Sequence, residues 1–149
     1  MKYGFIAVVI FAGVCYFAGP RLGVVESDLR AESEPTELSV IRTAAERNGI
    51  EYGSDDWYIL LAIRKAENGR EGLEFGVMNP RANDLDSQAG WCAASIVKNR
   101  ERWDGTGDFV AFMGRRYCPV GAENDPDGLN RHWVKNVNYW FKKLKGDTE

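Results

Sequence analysis

Apolar residues recur at helical spacing along most of this chain, and this periodicity restricts the fold more than any other feature of the sequence. Alternation between apolar and polar residues, the pattern of a half-buried strand, never continues beyond a few positions. The last helix is the clearest, and its apolar positions are Leu129, Trp133, Val137, Trp140, Phe141 and Leu144. The sequence therefore predicts a mainly α fold without internal repeats.

Capping residues and glycines set the expected limits of the other helices. Ser54 followed by two aspartates is typical of a helix start, and the second helix is expected from Trp57 to about Asn68, with Gly69 as a left-handed stop. A glycine-rich loop, residues 70–81, should follow it. The remaining expected helices are a first one with Leu38, Ile41 and Ala45 that Gly49 closes, a third from Asp84 or Asp86 to about Trp103, and a short fourth with Phe109, Phe112, Met113 and Tyr117.

Size and composition indicate one globular domain and disfavour several classes of ligand. The 149 residues are 44% hydrophobic and 28% charged, an ordinary balance for a folded chain. A net charge of -3 disfavours nucleic acid as a partner, because a basic face usually binds the phosphate backbone. One histidine is too few for the usual zinc spacings. Glu123–Gly128 is similar to the first half of a calcium loop, but Val134 stands where a glutamate is needed, so we interpret the segment as a turn that caps the last helix. No metal and no cofactor are predicted.

The N-terminal apolar run, residues 4–19, indicates a segment directed to a membrane. It is shorter than the roughly 20 residues of a relaxed transmembrane helix, so a signal peptide is the alternative to an anchor. The residues before Pro20 lack the pair of small side chains that cleavage needs, which favours an uncleaved anchor. We expect this anchor or signal segment at 1–21, an acidic linker at 22–35 and a helical domain at 36–149.

One carboxylate interrupts the apolar stripe of the second helix. The stripe runs through Leu60 and Ile63 and reaches Glu67 one turn later, at the helix end. Burial and the partial negative charge of the helix C-terminus both disfavour an ionised carboxylate there and raise its pKa. An acid that stays protonated can give a proton to a poor leaving group, as cleavage of a glycosidic bond requires. Glu67 is therefore the candidate catalytic residue, and the alternative is a side chain that points to solvent or pairs with a nearby arginine.

Three segments resemble motifs of the soluble lytic transglycosylase and goose-type lysozyme superfamily. Residues 62–69, Ala-Ile-Arg-Lys-Ala-Glu-Asn-Gly, look like the end of its catalytic helix, where Glu-Ser-Gly is usual. Residues 75–80, Phe-Gly-Val-Met-Asn-Pro, are similar to its Gly-Leu-Met-Gln turn along the sugar site. Residues 116–122, Arg-Tyr-Cys-Pro-Val-Gly-Ala, resemble its Ala-Tyr-Asn-x-Gly stretch more weakly. The chain has Asn68, Asn79 and Cys118 where the family has serine, glutamine and asparagine.

The resemblance implies a lysozyme-like fold that cleaves the β-1,4 bond between N-acetylmuramic acid and N-acetylglucosamine in the glycan strands of peptidoglycan. Glu67 would be the acid and then the base, and Met78, Asn79 and Tyr117 would bind substrate. Because this substrate lies outside the inner membrane, the domain is expected to face the periplasm or to belong to a phage virion. The sequence does not separate a bacterial from a phage origin.

Two mechanisms are compatible with the resemblance. A transglycosylase needs only Glu67, which activates the muramic 6-hydroxyl and gives a 1,6-anhydro product. A hydrolase needs a second carboxylate to assist water, and Asp84 and Asp86 are the nearest candidates. We favour a helix-capping role for both aspartates, and hence the mechanism with a single acid.

Two other functions are kept as alternatives. The first is a membrane-tethered, lysozyme-like protein that binds the cell wall or a virion or envelope partner without cleaving it, which the departures at Asn68, Asn79 and Cys118 favour. The second is a papain-like cysteine peptidase with Cys92 and His132, which is disfavoured because Cys92 falls in mid-helix on an apolar stripe. Cys92 and Cys118 are either a disulfide pair, in an oxidising compartment, or two free thiols.

Overall fold

Polar side chains fix the starts of the first four helices in the structure, a computed structural model that describes residues 35–146. Thr36 and Ser54 each accept a hydrogen bond from the backbone N–H three residues later. Asp84 forms a reciprocal capping box with Ser87, and Asp108 accepts from the first turn of the helix that it precedes. The helices are α1 (Glu37–Arg47), α2 (Asp55–Glu67), α3 (Leu85–Arg102), α4 (Phe109–Tyr117) and α5 (Trp133–Lys145), the last preceded by a 3-10 turn, Leu129–His132.

Residues 35–146 contain helices, turns and loops but no strand, which confirms the prediction of a mainly α fold. All five expected helices are present, and Asp84 rather than Asp86 caps α3. The segment that is similar to a calcium loop is a turn, as predicted, but it caps the 3-10 turn Leu129–His132 and not the last helix itself, because α5 has no side-chain cap. Its Asp125 carboxylate accepts hydrogen bonds from the N–H groups of Leu129 and Asn130, at 2.6 and 3.1 Å.

The end of α2 differs from the prediction. Asn68, not Gly69, adopts the left-handed conformation, with φ of 44°. Asparagine is one of the few residues other than glycine that enter this region. Gly69 is needed for space instead, because a Cβ at this position would lie 1.7 Å from the carbonyl oxygen of Leu73. The predicted stop at Gly69 was wrong because the sequence does not show whether a glycine serves a backbone angle or a close approach.

Two helix pairs form most of the core. α2 packs along α5, α1 packs along α3, and α4 contacts both α3 and α5. Every α-helix contributes buried side chains, and Phe75 joins them from the α2–α3 loop; the largest are Ile41, Leu60, Ile63, Phe75, Ile96, Met113 and Val137. Each such side chain contributes about 1.5–3 kcal/mol through its burial. The core therefore holds α2, and Glu67 at its end, in a defined position.

The predicted membrane segment, residues 4–19, and the acidic linker apart from Pro35 lie outside the described residues. Within residues 35–146, every helix is too short or too polar to cross a bilayer.

Candidate active site

Glu67 is the last residue of α2, and its side chain is partly buried. Leu60 and Ile63, which precede it on the same stripe, are fully buried. The apolar face of the helix thus carries the carboxyl group toward the interior, as the spacing predicted. Among residues 35–146, Glu67 forms no ion pair with an arginine or a lysine. The alternative of a solvent-directed or arginine-paired side chain does not describe this residue.

Two contacts fix the carboxyl group. The indole Nε1–H of Trp133, the first residue of α5, donates to Glu67 Oε1 at 2.7 Å. Glu67 Oε2 lies against the backbone at Gly76, where an added Cβ would be 2.5 Å away from it. Gly76 also has a φ of 70°, in the left-handed region that favours glycine. Position 76 therefore requires glycine both for its backbone angle and for the space that the carboxyl group occupies.

The pKa of Glu67 is raised above its ordinary value. Burial is the main cause, because the ionised form loses hydration that the surrounding side chains do not replace. The hydrogen bond from Trp133 lowers the pKa, since a donor stabilises the carboxylate, but this effect is the smaller one. The carboxyl group thus keeps its proton to a higher pH than an exposed glutamate does. After the proton has left, the indole N–H still stabilises the negative charge.

Glu67 lines a cavity of about 560 Å³, a volume typical of ligand sites. Its walls come from the end of α2, the loop at 76–78, one face of α3 and the segment 116–119 at the end of α4. Within the described part of the chain, Glu67 is the only carboxylate of this lining. Lys98, Arg102 and Arg116 give the lining positive charge. The cavity can hold a polar ligand beside a single carboxylic acid.

The structure brings two of the three predicted substrate-binding residues to this cavity. Met78 lines it with an exposed side chain. Tyr117 lines it as well, but the tyrosine O–H donates to the Phe75 carbonyl at 2.7 Å, so this group holds the loop in place. Asn79 lies in the lining of a neighbouring depression, and its Oδ1 accepts from the backbone N–H of Arg81. Asn79 is not in the lining that contains Glu67.

Gln88 of α3 anchors the loop that carries Gly76. Its side chain is fully buried. The amide bonds backbone groups from both ends of the loop, namely the N–H groups of Phe75 and Val77 and the carbonyl oxygens of Gly72, Val77 and Ala82. A buried amide whose donors and acceptor are all satisfied makes a local structure rigid. Gln88 therefore sets the position at which Gly76 meets the carboxyl group of Glu67.

The two aspartates considered for a hydrolytic mechanism are outside the cavity lining. Asp84 caps α3, and hydrogen bonds from the side chain and backbone of Ser87 lower the pKa of its carboxyl group. Asp86, in the first turn of α3, pairs with Arg47 at 3.0 Å. The capping role is confirmed for Asp84, and Asp86 has a role in an ion pair instead.

The cysteines have the properties of structural thiols. Cys92 is fully buried in α3, and this burial raises the pKa of its thiol to about 12, so the nucleophilic thiolate is absent near neutral pH. Cys118 lines the cavity, and burial raises its pKa to about 11. His132 is exposed, and its Nε2 accepts from the Nε of Arg131. Cys92 and Cys118 are both free, in agreement with the second of the two alternatives for this pair.

Several residues of the site were not identified from the sequence. Trp133 was assigned to the core of the last helix, although a buried indole N–H needs an acceptor and so signals a polar partner. Gln88 is a polar residue next to the apolar stripe of α3, which was a usable signal. Lys98 and Arg102 gave none, since basic residues one turn apart are typical of the solvated face of a helix.

The chain matches no model of a known protein family, no curated protein and no solved structure. The geometry alone therefore defines the kind of site: a partly buried carboxylic acid with one indole donor, set in a polar cavity. This arrangement suits proton transfer to a bound polar ligand.

Proposed function

We propose that this chain is a peptidoglycan-cleaving glycosidase of the lytic transglycosylase type, with a lysozyme-like helical domain and Glu67 as its acid and base. One observation carries the proposal. The three segments that resemble the family, 62–69, 75–80 and 116–122, each contribute to the cavity around Glu67, although the whole of α3 separates the third segment from the other two in sequence. A chance resemblance would not require the third segment to reach the same acid.

The proposed reaction begins with protonated Glu67. It gives its proton to the glycosidic oxygen, the bond from this oxygen to C1 of N-acetylmuramic acid breaks, and positive charge develops at C1. The Glu67 carboxylate, which accepts the hydrogen bond from Trp133, then takes the proton of the muramic 6-hydroxyl group. The 6-oxygen bonds to C1, a 1,6-anhydro ring closes, and Glu67 is protonated again. No water is consumed.

The composition of the cavity supports this route over hydrolysis. A hydrolytic route requires a second carboxylate to assist water or to stabilise C1. The lining formed by the described residues offers none besides Glu67, and both Asp84 and Asp86 are engaged elsewhere. A mechanism that uses one carboxyl group twice needs only what this cavity holds.

We further propose that residues 4–19 anchor the chain in a membrane and that the helical domain acts outside the inner membrane, in the periplasm or from a phage particle. The substrate supports this location, because peptidoglycan is found on that side. A membrane anchor would keep the cavity close to the glycan strands.

The decisive variant is Glu67→Gln in the full-length chain, purified in a mild detergent and tested by zymography on purified cell walls. Glutamine keeps an oxygen that accepts from Trp133 but has no acidic proton, so we expect clearing to fall by about 100-fold or more. Glu101→Gln, an exposed residue outside the cavity lining, is the matched control and should clear normally. Mass spectrometry of the released fragments should show 1,6-anhydro ends, one water lighter than hydrolysed ends.

Other results would favour other functions. Hydrolysed ends would reject the single-acid route, and the chain would then be a muramidase that hydrolyses the same bond. Binding to cell walls without any clearing would favour the non-catalytic alternative, for which the use of the Tyr117 hydroxyl within the fold is an additional argument. Activity that survives in Glu67→Gln and disappears on thiol alkylation would favour a cysteine-dependent enzyme.

A further inference from the structure

One face of α3 forms a polar wall of the cavity. This wall is positively charged, whereas the chain as a whole is negatively charged. Ser95, Lys98, Asn99 and Arg102 all line the cavity. Their spacing of three and four residues places them on one side of the helix. Arg116, at the end of α4, adds a third cation to the same lining. The wall is basic, although the net charge of the chain is -3.

Lys98 and Arg102 of this wall, and Arg116 beside it, have no carboxylate partners among the residues that the structure describes. Four other arginines do: Arg42, Arg47, Arg64 and Arg100 each pair with an aspartate or glutamate at 2.7–3.0 Å. Lys98 and Arg102 form no such pair, and Arg116 lies only over the ring of Phe112. Uncompensated cations that line a cavity attract anionic ligands.

Asn99 supplies a second and independent sign of a ligand. It lies between the two α3 cations in the helical sequence, lines the cavity and is only 5% exposed. Its Nδ2 donates to the Ser95 carbonyl at 2.8 Å, whereas its Oδ1 is buried without a hydrogen-bond partner in residues 35–146. A buried acceptor without a donor is costly. An N–H group of a ligand that reaches this side chain from the cavity would satisfy it.

We propose that this wall is a subsite for a carboxylate-bearing amino sugar, in which Lys98, Arg102 and Arg116 bind the carboxylate and Asn99 accepts from the acetamido N–H. The proposal rests on the proposed function and makes it more specific, since the substrate would need its negative charge and not only its glycosidic bond. Guanidinium groups match a carboxylate with two parallel hydrogen bonds. The carboxylate can belong to the lactyl group of muramic acid or to its attached peptide.

Soluble glycan strands in three forms test this subsite. The first has free lactyl carboxylates and no peptides, the second has lactyl groups converted to neutral methylamides, and the third carries peptides. The full-length wild-type chain should cleave the first form with a KM about tenfold below that for the neutral form, since a charged hydrogen bond has been removed from the latter. A comparably low KM for the third form would assign the carboxylate to the peptide as well.

The matching protein variants are a double substitution, Lys98→Gln with Arg102→Gln, and a control, Arg115→Gln with Lys142→Gln, which removes two exposed cations outside the lining. We expect the first pair to raise KM about tenfold for the carboxylate strands, with kcat and the KM for neutral strands nearly unchanged. The control double variant should leave kcat and the KM for both kinds of strand unchanged.

Three results separate the two proposals. If the wild type releases no fragments from any strand, the proposed function fails. If it cleaves carboxylate and neutral strands with the same KM, the anionic subsite is wrong and the glycosidase stands. The third result is a double variant, Lys98→Gln with Arg102→Gln, that lowers kcat on neutral strands as much as on carboxylate strands. These residues would then support the fold rather than bind the substrate carboxylate, and the subsite is again rejected.

Discussion

Two influences change the pKa of the Glu67 carboxyl group in opposite directions. Burial disfavours its charge, and the indole N–H of Trp133 stabilises it. The first influence could be predicted from the sequence, because Leu60 and Ile63 on the same stripe imply burial at the helix end. The second could not, since Trp133 is 66 residues away and only tertiary packing decides which buried indole meets which acceptor.

Trp133→Phe should therefore change the pH dependence of cleavage. The substitution removes the donor that lowers the pKa of Glu67, so this pKa should rise further. A general acid works only while protonated, and activity is lost as the pH rises through its pKa. The alkaline limb of kcat/KM plotted against pH should move to higher pH.

Trp140→Phe is the control for this shift, because Trp140 lies on the same helix and is also partly buried in the core. It should leave the alkaline limb in place, although both variants should lose some stability. A limb that moves to lower pH in Trp133→Phe, or that moves equally in both variants, would contradict the assignment of Glu67 as the acid.

The helices and the α2–α3 loop differ in how far the sequence determines them. Helix starts depend on local groups, such as Ser54 and Asp84 with their neighbours three residues later, and were predicted closely. The loop depends on distant groups, the Gln88 amide and the Tyr117 hydroxyl. Such contacts cannot be derived from local propensity, so the loop was predicted only as irregular chain. The family resemblance identified residues 75–80 without showing why Gly76 is required.

Gly76→Ala tests the requirement at this loop. Both a positive φ and the contact with Glu67 Oε2 oppose a side chain there. Gly105→Ala is a close match, since Gly105 has a φ of 83° and open space around its Cβ position. Each variant should lose about 1–2 kcal/mol of unfolding free energy through backbone strain.

Only Gly76→Ala should lose activity, by at least about tenfold, because the added methyl group displaces the carboxyl group from its position. Urea unfolding and release of fragments from cell walls, measured on both variants, separate strain from displacement. Equal loss of activity in the two variants would show that the contact with Glu67 is unimportant.

For the whole molecule, the raised pKa of Glu67 has a cost in stability. The folded state holds this proton at pH values at which the unfolded state has released it. Stability therefore falls as the pH rises from the ordinary pKa of a glutamate through the raised pKa of Glu67. Above that window the full cost is present, and below it the cost is absent.

Glu67→Gln should for this reason be more stable than the wild type near neutral pH. The gain should vanish at a pH below the ordinary pKa of glutamate, since both chains then carry a neutral group at position 67. Urea unfolding at the two pH values measures the difference, with the exposed Glu101→Gln as a control of small effect at either pH. A gain that is largest in acid would have the wrong sign and would contradict a raised pKa.

The arrangement of the core in two helix pairs divides the residues of the cavity between two supports. Glu67 and Trp133 belong to the α2–α5 pair, whereas Lys98 and Arg102 belong to α3, which packs mainly on α1. Glu67 and its indole donor, 2.7 Å apart, therefore form one unit, whereas the distance from the acid to these cations depends on how the two helix pairs pack on each other.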